Sequence, residues 1–512
     1  FPFPGGRMTD FFKKHTLIAG AVLLTAAGFL SRILGFFYKI FLSRAIGAEG
    51  LGIYQMMFPV YGICLSLCAG SLQTAISRFT AACPSRAKKT LFTGFAISFS
   101  MAIFLAALIW RFSGFLAVHV LMEPRCAPLL PAFALAIPCS ALHSCICGYY
   151  YGKEKVQIPA FSQLAEQGIR MFAVFLLADI CREKGIEITV SLAAAGLLIG
   201  EAGSALFTLL TFLLLEKDGD TRPDPHAPSM ASIAIPLMAL ALPLMANRLV
   251  MNLLRSAESI LIPNRLAAFG LSQSQAVSTL GVLNGMAMSF IMFPSAIVNS
   301  LAVVLLPSVA RAQAGGDSRE ITRRIAMSFR YSLYMGILCV GIFTIFGDSL
   351  GVQVFKNEEA GSFITILAWL CPFLYLSTTM GSILNGLGKT TTTFLHHLAA
   401  LLFRLCFIVI GIPKIGILAY LWGMLASELL LALLHILALR EAVGFSANAW
   451  EVIVKPVFCL AVALGIYRIF PDSFLFASGL PEFFGTCLRI LIVCTCYGLM
   501  LLFFHRPAGS ES

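Results

Sequence analysis

The chain has 512 residues, of which 59% are hydrophobic and only 12% charged, with a mean hydropathy of +0.88 and a formal net charge of +11. Soluble globular domains carry about 25% charged residues, so this composition excludes a soluble protein, and with no soluble basic stripe it argues against a nucleic-acid partner. Apolar runs of roughly 20 residues, each long enough to cross about 30 Å of hydrocarbon as a helix, recur from end to end and predict a polytopic, all-α integral membrane protein rather than a β-barrel.

The opening stretch FPFPGGRMTD lacks an initiator Met and the apolar core and cleavage site of a signal peptide, and makes Met8 a candidate natural start. Fourteen spans follow in order: 17–43, 51–77, 90–110, 127–149, 158–180, 189–215, 232–262, 276–308, 326–347, 361–385, 391–411, 415–439, 450–470 and 484–504. An even number puts both termini on one side. With that side cytoplasmic, inner loops and termini hold eighteen Lys and Arg residues against eight in the outer loops, so both termini are expected in the cytoplasm of a bacterial inner membrane. The fifteen cysteines are scattered through the spans without an outer-loop pairing pattern and read as small core residues.

Internal repetition organises the spans. A shift of 234 residues places Pro138 on Pro372, Gly152 on Gly386, Lys155 on Lys389 and Arg170 on Arg404. At 235, Met57-Phe58-Pro59 meets Met292-Phe293-Pro294, and at 233 Arg78 meets Arg311. Six helices separate the copies, so the halves share one orientation and are expected to be related by an axis along the membrane normal. The predicted organisation is a six-helix lobe at 1–215, a cytoplasmic linker at 216–230 with three prolines, a second six-helix lobe at 231–440, and two further helices with a tail at 441–512.

Well inside the spans eight cations (Arg32, Lys39, Arg170, Arg248, Arg255, Arg330, Arg404 and Arg489) face four acids (Glu166, Glu201, Glu258 and Glu428). Each costs at least about 2.5–3.5 kcal/mol at the bilayer centre, so the pattern predicts a polar cavity. Thr25, Arg32 and Lys39 recur every seven residues on one helix face; Ser162, Glu166 and Arg170 are four apart; Arg248, Asn252, Arg255 and Ser259 make a third stripe. The cationic surplus points to an anionic ligand, since guanidinium grips phosphate in two-point contact. Arg32, Lys39, Arg255, Arg248 and Asn252 are therefore the candidate substrate-binding residues. Glu166, Arg170, Glu258 and Glu201 are candidates for ion coupling or for structural pairing, and Lys39 is open to a snorkelling role. GLGKTTTT at 386–393 mimics a phosphate loop but has Ile383 where its first glycine belongs, so it reads as a helix-helix turn. Cys139, His143, Cys145 and Cys147 lie on an apolar helix without a second pair of ligands, His396 and His397 read as interior or interfacial residues, and neither a metal nor a cofactor is expected. No nucleophile-base arrangement stands out, so the chain is not expected to be an enzyme.

Several stretches resemble the multidrug/oligosaccharidyl-lipid/polysaccharide flippase superfamily, most closely its stage V sporulation protein B and polysaccharide-exporter branch. They are AAGFLSRILGFFYKIFLSRAIGAEGLGIYQMMFPVY at 26–61, GYYYGKEKVQIPAFSQLAEQGIR at 148–170, ESILIPNRL at 258–266, GVLNGMAMSFIMFP at 281–294 and LNGLGK at 384–389. The resemblance implies a two-lobed, fourteen-helix flippase moving a lipid-linked saccharide, a cell-wall or polysaccharide precursor, by alternating access. Related lipid II flippases carry the Ser-Arg found here as Ser31-Arg32, and that arginine is implicated in holding the diphosphate. Their further cavity arginines are not reproduced, for Tyr38 stands where one would fall. The expected partners are the lipid-linked saccharide, membrane lipids and cell-wall synthesis proteins, with the chain itself a monomer. The alternatives are an ion-coupled multidrug antiporter of the same superfamily and a non-transporting partner of a cell-wall or sporulation synthase.

Overall fold

A computed structural model describes residues 6–216, 229–299, 318–444, 448–469 and 482–504, with Val309, Ala312 and Gln313. Among these residues the regular elements are all helical and no strand occurs. Twelve of the described helices are long and apolar enough to cross a membrane. Two features of the chain account for the distance from the fourteen expected. The stretch Leu23–Ala82 runs for 60 residues, about 90 Å as a helix, far beyond a single crossing of about 30 Å, and contains both 17–43 and 51–77 in large part. It is interrupted at Gly47, whose φ of 71° and ψ of −178° lie where only glycine goes readily. The expected span 158–180 corresponds to the helix Gln157–Glu183, which Gln163, Glu166, Gln167 and Arg170 keep too polar to count. Residues 217–228 of the expected linker and 300–308 of the eighth expected span lie outside the described residues.

The chain divides into two compact units, Phe1–Asn264 with Gln273–Leu280, and Arg265–Ser272 with Gly281–Ser512. In the first, Leu237, Ala241 and Met245 of the helix Met230–Phe269 are buried with Leu72, Ile76, Leu91, Cys145, Tyr149 and Tyr150. In the second, Ile325, Phe329 and Leu333 pack with Met380, Ile383, Ala432 and Leu439. The outside of both is strongly apolar, with Phe172 70% and Leu502 71% exposed, as suits a surface solvated by lipid.

Because lipid is as apolar as leucine, helices in a bilayer gain little from burying apolar surface and associate instead through close packing of small residues. The helix Val190–Leu215 shows this along Gly196, Gly200 and Gly203, where a Cβ would lie 2.2 Å from Val174, 2.9 Å from Arg170 Nε and 2.7 Å from Ile169. The three glycines let Gln157–Glu183 come close enough for its charged residues to reach across.

One end of the first unit is tied by polar contacts. Arg125 bonds Glu123 through Nε at 2.6 Å and Nη2 at 3.0 Å, and Nη1 lies 2.5 Å from Glu49. Gln273 Nε2 donates to the Met122 carbonyl at 3.3 Å. Burial pushes the Glu123 carboxyl up, but the two-point grip of Arg125 outweighs it and holds the group below its ordinary value. A lowered carboxyl contributes stability that is fully present above its unfolded value of about 4.3 and is lost as pH falls through the folded value.

Two outcomes follow from this packing. Gly196→Val should destabilise the detergent-solubilised protein by about 1–3 kcal/mol, the usual cost of overpacking, and lower its thermal midpoint, whereas Gly168→Ala, whose Cβ meets nothing within 4 Å, should melt with the parent. Equal melting of all three would contradict the close-packing account. Amide exchange around 120–126 and 270–275 should stay protected at neutral pH and open below about pH 4.3, and Arg125→Gln should open it at neutral pH. Protection indifferent to both would show that Arg125 holds nothing together.

Candidate functional site

In the first unit a polar network forms around Arg170. The i, i+4 spacing on Gln157–Glu183 brings Arg170 Nη2 within 2.5 Å of Glu166 Oε1. The same nitrogen lies 3.9 Å from Glu201 Oε1, on the helix Val190–Leu215. Glu201 is buried and accepts from Ser140 Oγ at 2.5 Å. Since Ser140 has one proton and gives it to the carboxylate, the Tyr61 hydroxyl, 2.8 Å away, donates to Ser140. Ser162 likewise donates to the Pro159 carbonyl at 2.8 Å, so His143 Nε2, 3.0 Å from Ser162 Oγ, is the N–H donor, and Nδ1 of the neutral ring keeps its lone pair.

The ligand atoms of His143, Glu166 and Glu201 lie within 4.8 Å of one another. A guanidinium already engages both carboxylates, so this donor set suits a proton or a singly charged cation better than a divalent metal. Glu166 and Arg170 were legible from spacing. Tyr61, Ser140 and His143 were not singled out together, although Ser140, His143 and Cys147 share one face of Leu130–Gly152, at i, i+3 and i+7.

The second unit holds a comparable cluster. Arg404 Nη2 lies 2.9 Å from Glu428 Oε1, and its Nε donates to Ser427 Oγ at 2.7 Å. Ser377 Oγ shares its one proton between the Leu374 carbonyl at 3.0 Å and Glu428 Oε2 at 3.2 Å, while the Ser377 carbonyl lies 3.2 Å from His435 Nδ1. The rings of His396 and His397 stand 5.2 and 5.5 Å from that of His435. GLGKTTTT forms the turn between the helices Cys371–Gly386 and Thr390–Cys406.

The remaining candidates are dispersed along their helices. Arg32 and Arg255 are exposed, Lys39 is half-buried and Glu258 is buried. Arg248 is exposed, with Nη2 3.4 Å from Thr74 Oγ1 and Nη1 filling the space a Cβ on Gly70 would take. Asn252 donates to the Gly62 carbonyl at 3.2 Å and to Ser66 Oγ at 2.5 Å. The third stripe therefore packs its first half against residues 62–74 and leaves Arg255 exposed. Guanidinium groups exposed on bilayer-spanning helices are tolerable only where they line water, pair, or meet a ligand.

The second unit also contains a cavity of about 560 Å³ whose lining is overwhelmingly apolar, with Ile297, Met335, Leu338 and Leu502 among its walls. Its charged member is Arg330, held by Glu451 at 3.1 Å. Sequence reasoning missed this cavity because nothing in an apolar helix marks which apolar face is left uncovered.

Residues 17–313 match the polysaccharide biosynthesis protein family. The chain is 26% identical over 447 residues to stage V sporulation protein B of Bacillus subtilis (strain 168), covering 86% of each chain. Its fold is similar to that of a lipid II flippase, MurJ, in an inward closed conformation, with a TM-score of 0.71 at 15% identity, covering 95% of this chain and 99% of the other. It is also similar to an inward-facing multidrug resistance MATE family transporter of the MOP superfamily, with a TM-score of 0.62 at 13% identity, covering 83% and 98%.

Proposed function

The chain belongs to the polysaccharide biosynthesis protein family, and from that premise we propose that it is a flippase carrying a lipid-linked saccharide of polyprenyl-diphosphate type across the cytoplasmic membrane by alternating access. The observation that supports this most is the excess of cations over acids inside the spans. Arg170 takes up Glu166 and Glu201, and Arg404 takes up Glu428. Well inside the spans eight cations stand against these and one further acid, Glu258, and Arg32, Arg248 and Arg255 are exposed, so the net charge of these spans is positive. A diphosphate is the anion that two-point guanidinium contacts hold best, and an apolar cavity of about 560 Å³ suits hydrocarbon tails.

In this reading the first lobe spans 1–215 and the second 231–440, joined through 216–230, with 441–512 added beyond the repeat and both termini in the cytoplasm. Arg32 and Arg255, each on the first helix of its lobe, bind the diphosphate; Arg248 and Asn252 extend the second stripe, and Lys39 lies towards the outer mouth. Glu166, Arg170 and Glu201 form the ion-coupling group of the first lobe, with Glu258 as a further candidate. Cell-wall synthesis proteins are the partners a precursor carrier would serve. A multidrug antiporter is the second reading, favoured by the two carboxylates sharing Arg170, but an exporter of organic cations needs uncommitted negative charge.

Arg32→Ala tests the proposal. Loss of a hydrogen bond to a charged group costs about 1.5–3 kcal/mol, so binding of a polyprenyl-diphosphate saccharide should weaken about tenfold or more. Membrane levels should be unchanged, because removing a charge makes the span more apolar. Arg32→Lys should restore part of the affinity, since an ammonium lacks the planar fork. Parental binding by a well-expressed Arg32→Ala protein would remove Arg32 from the site.

A further inference from the structure

The histidines of the second unit have a geometry that ordinary packing does not require. His435 is completely buried on the helix Ile417–Val443, and its Nδ1 meets the Ser377 carbonyl. A carbonyl oxygen only accepts, so Nδ1 carries the hydrogen and Nε2 of the neutral ring carries a lone pair. That Nε2 is buried with no hydrogen-bond partner, and so is Nδ1 of His396. Two unsatisfied imidazole nitrogens thus sit on rings 5.2 Å apart, with the His397 ring 5.5 Å from His435 on the same side chain's surroundings. Leaving a buried polar atom unpaired is costly, and one added proton, shared after a rotation of either ring about its Cβ–Cγ bond, would satisfy both.

The groups packed around His435 favour this over a packing role. From Cys371–Gly386 it meets the Ser377 carbonyl and Gly381, and from Thr390–Cys406 the two imidazoles. The nearest full charges in this chain of contacts are Arg404 and Glu428, which neutralise each other, and Glu428 is joined to Ser377 by the serine hydroxyl. The 234-residue offset adds an independent observation. It sets Arg404 on Arg170, His435 on Glu201, Ser377 on His143 and His396 on Ser162. In the first unit those four positions form two polar pairs, Arg170–Glu201 and His143–Ser162, with the ligand atoms of His143 and Glu201 within 4.8 Å of each other, so the offset sets one polar cluster on another with imidazole in place of carboxylate.

We propose that His435, with His396 and His397, forms a proton-binding site in the second unit, linked through Ser377 to the Arg404–Glu428 pair and corresponding in the repeat to the carboxylate network of the first. The proton passes from water through the half-buried His396 and His397 rings to Nε2 of His435 and returns the same way, and no other bond is made or broken. On the flippase reading, which this coupling step rests on, uptake and release of that proton accompany carriage of the saccharide.

The experiment uses the full chain in nanodiscs with isotopically labelled histidine. Nitrogen chemical shifts followed between about pH 5 and 8 should show an imidazole that gains a proton, is absent in His435→Gln, and titrates differently in His396→Gln. In liposomes, His435→Gln should lose the stimulation of polyprenyl-diphosphate saccharide flux by a pH gradient while keeping its gradient-independent flux. If His435→Gln fails to reach the membrane, the half-buried His396→Gln carries the test through its shift of the remaining titration. An imidazole that titrates while the parent moves no saccharide would uphold the proton site and overturn the flippase reading. A His435 ring that keeps one neutral tautomer across the whole range would overturn the site.

Discussion

An ionised side chain in hydrocarbon must find an opposite charge, water or a ligand, and most of what is distinctive in this protein follows from that constraint. It explains why Arg170 lies against Gly200, because only a missing Cβ lets the guanidinium approach the neighbouring helix and reach Glu201 while still holding Glu166. It explains the same economy in the second unit, where Arg404 satisfies Glu428 and Ser427 together. Serine and tyrosine hydroxyls then spread each charge over further hydrogen bonds, which a low-dielectric interior makes strong when complete and costly when broken.

Function enters with the excess of cations over acids inside the spans. On the proposed reading, exposed Arg32, Arg248 and Arg255 on membrane-spanning helices meet an anion during part of a transport cycle. The apolar cavity beside Arg330 is the complementary provision, offering hydrocarbon surroundings without many polar groups. A carrier of a molecule with both a diphosphate and long tails needs the two kinds of surface at once.

Much of this was legible in the sequence. Membrane class and helical content followed from composition, and the Glu166–Arg170 pair followed from a four-residue spacing on one helix. The position of the break between the first two expected spans at Gly47 did not, since a single glycine in an apolar run does not announce a positive φ. Nor did the joining of Glu201, Ser140 and Tyr61, which come from three helices and depend on tertiary packing that no local pattern encodes. His435 was invisible for the same reason. A lone histidine in an apolar helix reads as core, and only the Ser377 carbonyl and the two facing rings make its free nitrogen meaningful.

Leaflet accessibility in reconstituted liposomes measures most directly whether the substrate is an anionic lipid-linked saccharide. A fluorescent polyprenyl-diphosphate saccharide placed in one leaflet should become accessible to an impermeant quencher on the other side only when the protein is present. If the saccharide stays where it was placed while an organic cation dye crosses instead, the protein is an antiporter and the account of its cationic spans is wrong.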